Sequence, residues 1–196
     1  MQTIKRADIK TAAWSGGTTT ELYIFPDNSS YTKRNFDFRI SSAKVEVEES
    51  TFTSLNGISR EIMILDGEIE LEHRGHYKKA LKKFETDSFK GDWHTTSKGK
   101  VTDFNLMTRG KYSGEIIPYI LEKEEKFDNS SIPKAFIIVL YILKGEIKID
   151  IPKQSITAKH GDVIIFNSFS EWQNASIIAA KKSEIIVSVV IPKTYV

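Results

Sequence analysis

A chain of 196 residues can bury one large core or two smaller ones fused together. Its 28 Lys and Arg against 26 Asp and Glu leave a formal charge of +2, which gives no electrostatic ground for a nucleic-acid partner. There is no cysteine, so disulfides, thiolate nucleophiles and Cys-ligated metals are excluded, and a reducing cytoplasm is the expected setting.

In chain order, Met1-Gln2-Thr3-Ile4-Lys5-Arg6 is not followed by the apolar core of a signal peptide. The Gly-rich stretch Gly16-Gly17-Thr18-Thr19 lacks the Lys and the helix of a phosphate loop, and reads as a tight turn placing Trp14 and Glu21. Phe36-Asp37-Phe38-Arg39-Ile40-Ser41 and Val45-Glu46-Val47-Glu48 alternate with period 2, the pattern of strands with one dry and one wet side. Ile62 to Leu71 reads as a hairpin turning at Asp66-Gly67. Residues near Tyr77 to Phe84 offer the one stretch that resembles a helix, and their lysines read as a solvated face. Asp103 and Asn105 alternate with Phe104 and Leu106 and so share a face. The charged segment Leu121 to Ser131 is the expected junction between two halves, 1–120 and 121–196. Ala135 to Leu143, the longest apolar run, is well short of the ~20 residues that span a bilayer, and no membrane partner is expected.

The chain echoes itself. Ile62-Met63-Ile64-Leu65-Asp66-Gly67-Glu68-Ile69-Glu70-Leu71 is answered by Leu140-Tyr141-Ile142-Leu143-Lys144-Gly145-Glu146-Ile147-Lys148-Ile149. A Gly-Asp pair follows each hairpin, Gly91-Asp92 and then Gly161-Asp162. Two such units in the same order indicate duplication. Strand, Gly-Glu turn, strand, then Gly-Asp resembles the cupin double-stranded β-helix. The expected fold is therefore all-β, a bicupin of two jelly-roll barrels, with dimerisation through strand edges an expectation by analogy.

A typical cupin holds its metal with His-x-His, a Glu and a later His. Here no histidine precedes His73, and Arg60 sits near the place of the acidic ligand, where a guanidinium cannot ligate a cation. His73 and His76 flank Arg74-Gly75 and read as an exposed hairpin tip, His160 as solvated, and His94 as a side chain that faces the first barrel. No metal and no cofactor are expected.

Trp14-Ser15-Gly16-Gly17-Thr18-Thr19-Thr20-Glu21-Leu22, Phe38-Arg39-Ile40-Ser41-Ser42-Ala43, Ser50-Thr51-Phe52-Thr53 with Arg60, Phe89-Lys90-Gly91-Asp92 and Asp103-Phe104-Asn105-Leu106-Met107-Thr108-Arg109-Gly110 together resemble the HutD/Ves family of bicupins over residues 10 to 112. The resemblance implies a bicupin without a cupin metal. It also implies a modulating or sensing role, in histidine utilisation for members named HutD and in stress responses for members named Ves.

Polar residues lodged in these apolar strands are the candidate site: Trp14, Glu21, Arg39, Ser41, Arg60, His94, Asp103 and Asn105. An Arg fork grips a carboxylate at two points, and Asn105 and Ser41 add directional hydrogen bonds. Alternatively, Arg39 or Arg60 pairs internally with Glu21 or Asp103, because an unpaired buried charge is costly. The leading expectation is a sensor or buffer of a small anionic metabolite. Its competitors are an isomerase or hydrolase using Glu21, Asp103 or His94 as acid or base, and a purely structural or protein-interaction role.

Overall fold

The computed structural model describes residues 1–152 and 154–193. Its strands in chain order are β1 (Gln2–Ile4), β2 (Thr11–Trp14), β3 (Gly17–Phe25), β4 (Phe38–Val45), β5 (Glu49–Thr51), β6 (Ile58–Gly67), β7 (Ile69–His73), β8 (Tyr77–Leu81) and β9 (Thr86–Lys90). There follow β10 (Thr95–Lys98), β11 (Val101–Arg109), β12 (Tyr112–Leu121), β13 (Ile137–Lys144), β14 (Glu146–Ile151), β15 (Gln154–Lys159), β16 (Val163–Phe166), β17 (Ser176–Ala179) and β18 (Ser183–Pro192). A single α-helix, α1 (Phe169–Gln173), occurs among the described residues, too short to cross a membrane.

The chain divides into two units, Lys10–Ser113 and a second made of Met1–Ile9 with the residues from Gly114 onward. The first nine residues thus differ from the expected division at residue 120. β1 pairs antiparallel with β16, Thr3 opposite Ile164, which ties it to the later unit.

In the unit of residues 10–113, one sheet runs β2-β3-β4-β11-β6-β9 and the other β5-β10-β7-β8. Ile62, Ile64, Ile69, Leu71, Leu81 and Val101 are buried together, drawn from both sheets. They line the lumen between them. In the later unit the sheets are β1-β16-β13-β18-β12 and β15-β14-β17. Its lumen is filled by apolar side chains around Trp172, which meets Phe127 and Phe166 edge-on at ring distances of 5.4 and 5.1 Å.

The duplication is visible atom by atom. Gly67 and Gly145 both have positive φ, 84° and 87°, and both lie so close to the next strand's backbone that a Cβ would meet a carbonyl oxygen at 2.6 or 2.4 Å. The second shared mark needs correction. Gly161 donates its N–H to Ile142 O at 2.8 Å, and Ile142 N–H returns to Asp162 O at 3.1 Å. In the first unit these bonds are made by Phe84 to Ile64 O at 2.7 Å and by Ile64 to Glu85 O at 3.2 Å. The counterpart of Gly161-Asp162 is therefore Phe84-Glu85, with Phe84 at φ 68°; Gly91-Asp92 comes one strand later.

Two other expectations are corrected. The stretch from Tyr77 to Leu81 is strand β8, paired with β7 and not helical. The reason is cross-strand charge: Lys78 opposes Glu72, with Nζ 2.9 Å from the carboxylate. The polar residues that alternate through β4 and β11 are not wet: Arg39, Ser41, Asp103 and Asn105 are each at most 5% exposed.

Candidate functional site in the first barrel

Antiparallel register lines the polar residues up in rows across the larger sheet. Arg39, Met107, Arg60 and Phe89 are successive partners on β4, β11, β6 and β9. The next row is Glu21, Ser41, Asn105 and Ile62, and the one after it Ala43, Asp103 and Ile64. Side chains two apart on a strand share a face, so these rows look onto the same lumen as Ile62 and Ile64.

The two arginines have different fates. Arg39 is committed: its Nε donates to Glu21 Oε2 at 2.7 Å, its Nη1 donates to Ser41 Oγ at 2.9 Å, and its guanidinium lies 4.5 Å from the centre of the Tyr31 ring. Arg60 is not. It lies over the rings of Phe52 and Phe89, at 4.6 and 5.2 Å, and its buried Nε has no hydrogen-bond partner among the described residues. Burial pulls its pKa down to about 10, against the opposing pull of Asp103. The Oδ1 of Asn105 is likewise buried and unpartnered. Burial pushes the Asp103 carboxyl up to about 7, although Arg60 and the backbone N–H of Ala43 both favour its charged form.

Six of the eight expected residues thus line one lumen: Glu21, Arg39, Ser41, Arg60, Asp103 and Asn105. Two stand apart. Trp14 is 41% exposed and its ring covers Gly16 in the β2–β3 turn, where a Cβ would be 2.1 Å from it. His94 is exposed in the turn after β9, and its carbonyl accepts the N–H of Arg74.

The aromatic partners Tyr31, Phe52 and Phe89 carried no role in the sequence reading, although Phe52 and Phe89 stand in the motifs quoted. His73 is a larger correction. It is buried, not exposed at a tip: its Nδ1 is 2.8 Å from Thr95 Oγ1 and its Nε2 is 2.8 Å from Asp87 Oδ2. Asp87 also accepts from Tyr77 OH and from Lys79 Nζ, both at 3.1 Å. The available sequence signal was its place in β7, where His73 continues the inward alternation of Ile69 and Leu71.

A cupin metal does not fit these side chains. Arg60 brings positive charge into the lumen, both ring nitrogens of His73 are engaged, and His76, His94 and His160 are exposed. Among the described residues no three His, Asp or Glu side chains converge as metal ligands. What the lumen offers is a cation whose Nε lacks a hydrogen bond beside an acceptor that also lacks one.

Residues 6–187 match the family described as HutD. No curated protein matches the chain. The fold is shared with a conserved protein of unknown function from Pseudomonas aeruginosa PAO1, with a TM-score of 0.79 at 19% identity, over 97% of this chain and 98% of that one. HutD from Pseudomonas fluorescens SBW25, in a formate condition, gives 0.71 at 18% over 98% and 99%. The bacterial pirin YhhW from Escherichia coli, in complex with nickel(II), gives 0.71 at 12% over 98% and 99%. With the match running through both units, this chain belongs to the HutD family, and its fold is that of a cupin.

Proposed function

We propose that the barrel of residues 10–113 binds a small carboxylate, with Arg60 as its main anchor, and that the protein senses or buffers that metabolite. One observation carries the reading: Arg60 is buried and its Nε has no hydrogen-bonding partner among the described residues, while Arg39, two strands away, is held by Glu21 and Ser41. A desolvated guanidinium is stabilised by an oxyanion that accepts two of its N–H groups. Asn105 supplies an acceptor for a donor on the ligand. The apolar filling of the other lumen around Trp172 favours a single site per chain. Membership of the HutD family supports a modulating role in histidine utilisation, and a stress-response role is the corresponding reading for relatives named Ves.

Thermal shift against formate, acetate and larger metabolic carboxylates tests this. A ligand at about 100 times its Kd stabilises the native state by about 2.7 kcal/mol. Arg60→Gln should abolish the shift. Retention of the full shift in this variant refutes the reading.

A second reading, acid–base catalysis, is favoured by the Asp103 carboxyl at about 7, a value suited to proton transfer near neutrality. Glu21 fits it less well, since Arg39 holds its carboxylate. With a substrate in hand, Asp103→Asn should lose turnover and keep affinity; unchanged turnover rules this reading out.

A further inference from the structure

Arg109 stands in the motif that ends β11, and no role above uses it. Near it lies an open depression of about 200 Å³, lined by Arg34, Arg109, Phe36, Leu55, Ile58 and Asn56. None of the residues proposed to bind anions in the lumen lines it. Phe36, Leu55 and Ile58 are buried and cluster with Met107, so they give the depression an apolar base.

The two guanidiniums are fixed in place by main chain. Arg34 Nη1 donates to Ser54 O at 3.0 Å, and Arg109 Nη1 donates to the carbonyl of Arg34 itself. The backbone of Arg109 is anchored too, its N–H on Asp37 O at 2.7 Å. Arg34 has φ 52°, a left-handed conformation that a non-glycine residue adopts at a cost. The surrounding loop enforces it: Arg34 N–H reaches Ser30 O and Tyr31 O at 3.1 and 3.2 Å, and Asn35 Oδ1 accepts the N–H of Ser30 at 2.9 Å. Among the described residues neither guanidinium has an acidic partner. Two like charges are thus held at one depression, with donors left over after the main-chain bonds.

We propose that Arg34 and Arg109 form a second anion site, one row beyond Arg60 at the end of the barrel, for an organic carboxylate that carries an apolar body. The carboxylate matches the planar forks of the guanidiniums. The apolar body meets only the small edge that Phe36, Leu55 and Ile58 leave exposed, at 1%, 1% and 5%.

Isothermal titration of the full chain with benzoate, acetate and inorganic phosphate tests the site, with Arg34→Gln, Arg109→Gln and Arg60→Gln variants alongside. Benzoate should bind about threefold more tightly than acetate or phosphate, in keeping with the small apolar edge that Phe36, Leu55 and Ile58 expose. That binding should survive Arg60→Gln and weaken about tenfold or more in Arg34→Gln and in Arg109→Gln. Arg34→Lys and Arg109→Lys, which keep the charge without the fork, should be intermediate. Amide NMR shifts on benzoate addition should centre on Asn56 and Gly57, which also reports on variants that unfold. Equal affinities for benzoate and phosphate overturn the assignment. So do shifts confined to residues around Arg60, or benzoate binding lost only in Arg60→Gln; either would leave the lumen reading standing. Failure of acetate and formate at Arg60, with benzoate still bound at Arg34 and Arg109, would remove the lumen reading and leave this one.

Discussion

Replacing Arg60 with methionine, a side chain of similar length, removes the buried charge from the first lumen and keeps most of the volume. The pKa of Arg60 falls from 12.5 to about 10 on burial, a difference worth about 3 kcal/mol against the folded state throughout the neutral range. Against that stand the contacts with Phe52 and Phe89, worth roughly 0.5–1 kcal/mol each, part of which a methionine sulfur regains. Asp103 loses its electrostatic partner, but a carboxyl already at about 7 takes up a proton at little cost. The net expectation is a gain of about 1–2 kcal/mol, or roughly 3–6 °C in melting temperature for a chain of this size. Arg39→Met is the internal contrast. It breaks the pair with Glu21 and the bond to Ser41, and should lose about 1–3 kcal/mol. Thermal melts of the two variants beside the parent decide the matter. If Arg60→Met melts as far below the parent as Arg39→Met does, Arg60 is a structural partner in the fold, and the inference from its missing hydrogen bond is wrong.

Asp103 gives a pH dependence of known sign. Its folded carboxyl titrates near 7 against an ordinary 3.8, so the folded state binds the proton more tightly. Its contribution is most favourable below pH ~4 and is lost as pH rises to ~7. Asp103→Asn should therefore be more stable than the parent at pH ~8, by up to about 4 kcal/mol, with the gap closing towards pH ~4; a gap independent of pH in urea titrations contradicts this. In the later unit, Trp172→Ala removes a fully buried indole and the bond from its Nε1 to Asn129 O, and should cost about 3–5 kcal/mol in denaturant unfolding. A loss under about 1 kcal/mol would mean that the lumen collapses around the gap.

The turn chemistry was easy to read because it is local. Gly67 and Gly145 announce their hairpins by residue type, and the alternation around them announces the strands. The second repeat mark was misplaced because Phe84 holds at φ 68° a backbone that Gly161 forms in the other copy, so no glycine flags the position. Alternation also placed Arg39, Ser41, Asp103 and Asn105 on shared faces, though it could not say whether those faces met water. Burial depends on what lies opposite, and the sequence of one strand carries no record of that. The pairing of Arg39 with Glu21, in preference to Asp103, is likewise a matter of register: Glu21 is opposite Ser41, whose side chain shares the same guanidinium. Trp14 and His94 stand apart from the lumen because aromatic and histidine side chains serve turns as readily as sites. The lysines of β8 are neutral about fold until Glu72 is known to face Lys78.

The pairing of β1 with β16 has a consequence for the growing chain. Residues 10–113 form a continuous unit and can close once they are made. Gln2 to Ile4 meet their partners only when Val163 to Ile165 emerge, some 160 residues later. At ~5–20 residues per second that is a wait of roughly 10–30 s, long compared with the closure of a small barrel. During it the first strand is an unpaired edge, the kind of segment that invites wrong partners. Lys5 and Arg6 directly follow it, and charged residues at such positions oppose pairing between chains. In the finished fold the same two residues turn to Asp162, Lys5 through its Nζ at 2.7 Å and Arg6 through its backbone N–H at 3.0 Å. The Lys5 charge that guards the strand while it waits also helps to lock it once its partner arrives.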